Sequence, residues 1–163
     1  MTNSKTTHLA NIRGIGDDLL QLLDGMDYCL DWKPDAESWS AREVVYHLLD
    51  TPAGGLHNLI QGILSGGRKE FDLVPGRSNM TAERMAKDLE EVRQDTSAVL
   101  QGLEGAVSSV GERELTEKSV LAHLKDRSRD EERTVDMLLE GLFARHWRGH
   151  LAQIRELRES LGM

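Results

Sequence analysis

Two of the six histidines, His146 and His150, stand four residues apart near the end of the chain. On a helix that spacing turns about 40° and rises one turn, so both rings share a face and can converge on one ion. With His146 placed at zero on a helical wheel, Leu139 and Leu157 fall at about 20°, Phe143 at about 60° and Leu142 at about 320°. The pair therefore projects from the apolar stripe toward a core, where imidazoles without partners are costly. Two arrangements meet that cost: a bound metal, or core histidines hydrogen-bonded by side chains and water. Gln153, seven residues after His146, lies on the same face.

A third ligand must come from another helix, and His47 is the best placed. It sits beside Val44 and Leu48, at the margin of an apolar arc, with Glu43 and Asp50 one turn away on either side. That position suits a site at the mouth of a bundle, and it equally suits an ordinary boundary histidine. Glu43, Asp50 and Gln153 are the candidates for proton transfer or for holding a ligating ring, although carboxylates on a helix face are commonly just solvated. The remaining histidines are weaker. His8 is expected to be solvated near the terminus, His57 lies beyond Pro52, and His123 falls in a poorly patterned segment. Cys29 is the single cysteine, so neither an intrachain disulfide nor a cysteine metal cluster can form. Gly14-Ile15-Gly16 interrupts a helical stripe with no strand before it, so it is not a dinucleotide fingerprint.

The elements that must position these residues read as helices. Ile12, Ile15, Leu19, Leu22, Leu23 and Met26 form one stripe over residues 7–27. A polar loop with Trp32, Pro34 and Trp39 follows, its tryptophans expected to plug one end of a bundle. Ser40-Ala41-Arg42-Glu43 is a capping box that starts the second helix. That helix is expected to kink at Pro52, continue through Leu64 and stop at Gly66-Gly67, before a loop to about residue 81. Met85, Leu89, Val92, Thr96, Val99 and Leu103 make a heptad seam for the third helix, with Gly105 a plausible stop. Residues 106–132 read as a long crossover in which 120–124 is either a short helix or an extended piece. The last helix spans about 134–161.

Composition bounds the rest. At 163 residues, 39% hydrophobic and 29% charged, the chain suits one ordered domain over 1–163. Aromatics are only 4%, which favours helices over sheet. A formal net charge of -8 argues against nucleic-acid binding and against docking on an anionic membrane. No apolar run approaches the roughly 20 residues needed to cross a bilayer, and the polar N-terminus leads into no signal-like core. A cytoplasmic protein is the expectation.

Two blocks carry a resemblance. Trp39-Ser40-Ala41-Arg42-Glu43-Val44-Val45-Tyr46-His47-Leu48 resembles the start of the second helix in DinB-like proteins. Residues Thr134 to Leu139, followed by His146-Trp147-Arg148-Gly149-His150-Leu151-Ala152-Gln153-Ile154, are similar to that family's last helix. The resemblance implies an all-α, up-up-down-down four-helix bundle with a long crossover, and a divalent metal, typically zinc or nickel, on His47, His146 and His150. It also implies a homodimer acting on a small-molecule substrate, and activities such as thiol-dependent transfer or isomerisation with bacillithiol, mycothiol or glutathione.

Three imidazoles would leave a coordination position open, as in catalytic zinc sites. The leading expectation is an enzyme that transfers a low-molecular-weight thiol onto a small electrophile, with hydrolysis as another use of the same metal. The alternative is a non-enzymatic metal-binding stress-response or dimeric interaction protein. A cavity beside the three histidines would separate the two.

Overall fold

Ile12, Ile15 and Leu19 line the buried face of the first helix, α1 (Ser4–Leu22). The computed structural model describes residues 4–163. The helix ends at Leu22 rather than near residue 27, and the chain turns through Gly25 at φ 78°, a conformation that glycine adopts without steric cost. Leu23 and Met26 stay buried in that turn. Gly16 allows close packing, because a Cβ there would stand 2.8 Å from Leu100 Cδ1 on the facing helix.

The capping box forms as read: the Ser40 hydroxyl accepts the Glu43 amide while Glu43 accepts the Ser40 amide, opening α2 (Ala41–Leu49). The expected kink at Pro52 is instead a full break. Helix α2 stops at Leu49, the Thr51–Pro52 peptide is cis, and α3 (Leu56–Ser65) begins after Gly54 and Gly55, both at positive φ. Proline has no amide to continue the ladder, and the two glycines accept backbone angles that other residues resist.

After β1 (Glu70–Leu73) and the short α4 (Ala82–Met85), Asp88 caps α5 (Leu89–Ser108) through a second box with Glu91. Met85 is half exposed and lies outside α5, so the heptad seam starts at Leu89; Val92, Thr96, Val99 and Leu103 are buried as expected. The helix runs through Gly105 to Ser108.

Residues 106–132 are not a bare connection. They contain the end of α5, then α6 (Glu112–Glu117) and β2 (Ser119–Leu124), and enter β3 (Arg129–Thr134). β2 lies between β1, parallel to it, and β3, antiparallel, so the fold is helical with a small three-stranded sheet rather than strictly all-α. Val120, Ala122 and Leu124 alternate inward. The charged run before Thr134 becomes the outer strand, where charge discourages edge pairing. Thr134 then caps α7 (Val135–Leu138), which passes through a π-helical segment, Leu139–Arg145, into α8 (His146–Ser160).

Which ends meet fixes the helix directions. Arg13 bonds Glu104 and Arg93 bonds the Leu20 carbonyl, so α1 and α5 are antiparallel. Tyr46 bonds Asp95 and Gln61 bonds the Gly102 carbonyl, so α2 and α3 run with α5. Arg148 bonds Asn11 and Arg158 bonds the Leu22 carbonyl, so α8 runs with α1. The order is up-down-down-up, not the up-up-down-down arrangement the resemblance implies. The crossover between parallel helices is consequently the 66–88 segment. It returns along α2, where Asn79 donates toward the Tyr46, His47 and Asp50 carbonyls, and the buried Arg42 donates to the Arg84 and Lys87 carbonyls. Among the described residues, no helix is long and apolar enough to cross a membrane.

Candidate metal centre

His47 projects from α2 toward α8 because Val44, Val45, Leu48 and Leu49 take the inner face beside it. His146 opens α8, and His150 follows one turn later. One ring nitrogen from each of the three lies within 4.8 Å of the others, and His47 Nε2 stands 3.0 Å from His146 Nε2. Two imidazole nitrogens on one tetrahedral ion sit about 3.3 Å apart, which that range brackets. The three histidines named from the sequence are therefore brought together.

What holds the rings is as informative as where they meet. His47 Nδ1 lies 2.5 Å from the Arg77 carbonyl, and His150 Nδ1 lies 2.8 Å from Gln153 Oε1. Both acceptors place the proton on Nδ1 and leave Nε2 a bare lone pair. His146 Nδ1 is buried without a hydrogen bond of good geometry, although the Leu142 carbonyl lies close enough to favour a proton there. If His146 carries its proton on Nε2 to satisfy His47, its buried Nδ1 faces that carbonyl lone pair to lone pair. If the proton is on Nδ1, two bare Nε2 atoms face each other at 3.0 Å. A cation at the meeting point removes the conflict for all three rings, so the residues present fit a divalent metal.

Burial disfavours the charged form of two of these rings, His146 and His47. It pushes His146 down to about 4, with the neighbouring His150 and His47 adding to the effect. His47 is lowered by burial too, against the Arg77 carbonyl, which raises it, and His150, which lowers it further. Trp39 covers the group: its ring lies 4.8 Å from that of His47 and is stacked at 6.2 Å on that of His150. Trp32, by contrast, remains 36% exposed, so only one of the two tryptophans closes this end.

The π-helical segment ends where the ligating helix begins. Its wider turn leaves the His146 amide bonded to the Gly141 and Phe143 carbonyls, bypassing Leu142. An ideal wheel does not contain this step, which sequence spacing gave no sign of. Single π turns recur beside functional sites.

The other candidates take different places. Glu43 is engaged in the cap and lies 3.5 Å from Lys33, and Asp50 pairs with Arg84 and accepts the Gly54 amide. No hydrogen bond joins either to the three rings among the described residues. Gln153 reaches the site directly. His123 pairs with Asp130 on the sheet, and His57 is wedged between Gly55 and Gly102, so neither joins the group. His8 is buried and bonded to Asp136 at 2.7 Å, not solvated as expected. Sequence reasoning missed Arg77 and Asn79. The first acts through its backbone, which no side-chain motif reveals. The second holds φ 60°, a conformation asparagine tolerates, and its loop setting beside Pro75-Gly76 was the available signal.

No protein-family model matches the sequence, and no curated protein matches it. Solved structures do match its shape. YfiT from Bacillus subtilis, a probable metal-dependent hydrolase with an unusual four-helix bundle topology, has a TM-score of 0.73 at 18% identity over 99% of this chain and 90% of its own. A Streptococcus pneumoniae protein gives 0.69 at 13% identity, covering 98% of this chain and 92% of its own. An uncharacterized protein from Clostridium difficile 630 gives 0.63 at 10% identity, covering 98% of each chain. The fold is DinB/YfiT-like. At these identities the likeness establishes the fold alone.

Proposed function

We propose that this chain is a divalent-metal-dependent enzyme of the YfiT-like fold, with His47, His146 and His150 as the metal ligands and a small molecule as substrate. The observation that carries the reading is the convergence of three imidazoles whose far nitrogens are turned toward backbone or amide oxygens. Such outer partners orient ligating rings and raise their basicity. The hydrolase description of YfiT supports the same class.

A divalent ion held by His47, His146 and His150 would supply Lewis acidity at a coordination position that three protein ligands leave free. The chain's own residues do the rest. Arg77 and Gln153 fix the tautomers of His47 and His150, burial disfavours protonation of His47 and His146, and Trp39 shields one side from water. Zinc or nickel suits the donor set. The finer form of the reading, transfer or isomerisation with a low-molecular-weight thiol, would use the same open position, as would hydrolysis; a homodimer is part of the proposal.

The test is elemental analysis of protein purified without an affinity resin, followed by assays of the loaded protein on ester and amide panels and on electrophiles with added thiols. We expect one metal per chain, lost in His146→Ala, and turnover that requires it. Absence of stoichiometric metal in the wild type overturns the reading. Metal-dependent turnover with thiols but not with water would select the thiol form.

A further inference from the structure

We propose a second ligand site, for a small hydroxy- or amino-carboxylate, in the groove between α1 and the π-helical segment. This groove encloses a cavity of about 540 Å³ and is lined by His8, Asn11, Asp136, Glu140, Arg145 and Arg148, with none of the three converging histidines among its walls. Its floor holds a carboxylate–imidazole pair whose imidazole is buried. His8 is 95% buried, at 5% exposure, and its Nε2 lies 2.7 Å from Asp136 Oδ1.

The pair dictates what the groove accepts. In its neutral form His8 donates its Nε2 proton to the Asp136 carboxylate, which leaves Nδ1 as an acceptor. That nitrogen makes no hydrogen bond among the described residues, and His8 lines the cavity, so a donor on a groove ligand can pair with it. On the rim, among the described residues, Arg145 is exposed and makes no hydrogen bond or ion pair, while Arg148 bonds the Asn11 amide oxygen alone, at 3.0 Å. Planar guanidinium groups favour carboxylates. The nearby Glu112 is held by the Ser4 and Lys5 amides and Asp136 is paired with His8, leaving Glu140 as the acidic group on the wall to receive an ammonium. One anionic group for the arginines and one hydroxyl or amine for His8 define the ligand class.

The experiment follows the His8 imidazole by NMR while malate, and separately succinate, which lacks the hydroxyl, is added to the full chain. We expect a saturable shift with malate, roughly tenfold weaker binding in Arg145→Ala, and roughly tenfold weaker binding of succinate. The titration is repeated in His146→Ala, because malate can also ligate a metal; the response at His8 should persist there. No saturable shift at millimolar malate, a shift unchanged in Arg145→Ala and Arg148→Ala, equal binding of succinate, or a response lost in His146→Ala each overturns the proposal. The last outcome would leave the metal reading intact.

Discussion

His150 Nδ1 lies 2.8 Å from Oε1 of Gln153, so one turn of α8 carries both a converging ring and the group that sets its tautomer. Gln153→Leu keeps the size and the helix but removes the acceptor. Loss of such an outer partner typically weakens a metal site by about 10- to 100-fold. Competition against a chromophoric chelator should show a drop in that range, with circular dichroism unchanged. Wild-type affinity in the variant would mean that Gln153 does not position His150.

Metal removal should cost stability as well as activity. A ligand present at about 100 times its dissociation constant stabilises the folded state by about 2.7 kcal/mol. For a chain of this length that corresponds to a fall in melting temperature of roughly 5–10 °C when the metal is stripped with EDTA. His47→Ala should melt at the same temperature with and without EDTA. A wild-type protein indifferent to both EDTA and added zinc or nickel would contradict the site.

The metal-free protein should also respond to acid in a particular direction. His146 is held down at about 4 by burial and by the two neighbouring rings, whereas in the unfolded chain it titrates at about 6.5. Between those values the unfolded state binds more protons, so stability is full above the upper value and declines as pH falls toward the lower one. Urea midpoints measured between about pH 7 and about pH 5 should therefore decrease, and the slope should flatten in His146→Gln. An identical slope in that variant would assign the pH dependence to other groups.

The sequence exposed those parts of the fold that depend on side-chain spacing. The Ser40 and Glu43 box, the seam from Leu89 to Leu103, and the shared face of His146 and His150 all follow from periodicity, and all three are present. What was illegible depends on backbone geometry or on distant pairing. The parallel ladder between β1 and β2 joins residues about fifty positions apart, so no local pattern announces it. The path of 66–88 along α2 reverses the expected helix order through Asn79 and Arg42, two contacts that spacing does not encode. The same limit hid the Arg77 carbonyl behind His47, and the short polar run at the N-terminus concealed a buried His8.

Glu43 is the residue whose role the structure recasts most clearly. As a helix-face carboxylate beside His47 it was a candidate for proton transfer, yet its Oε1 lies 3.2 Å from the Ser40 amide. Substituting Glu43→Ala removes half of the capping box and should cost about 0.5–2 kcal/mol of stability, in the range measured for lost caps. The urea midpoint should fall accordingly, while metal content and any turnover per folded molecule stay at wild-type values. Glu43→Gln, which keeps an acceptor for the amide, should restore most of the stability. A different pattern, with full stability but turnover reduced by a hundredfold or more in Glu43→Gln, would return Glu43 to the chemistry as a general base, since positioned proton transfer contributes about 100- to 10,000-fold.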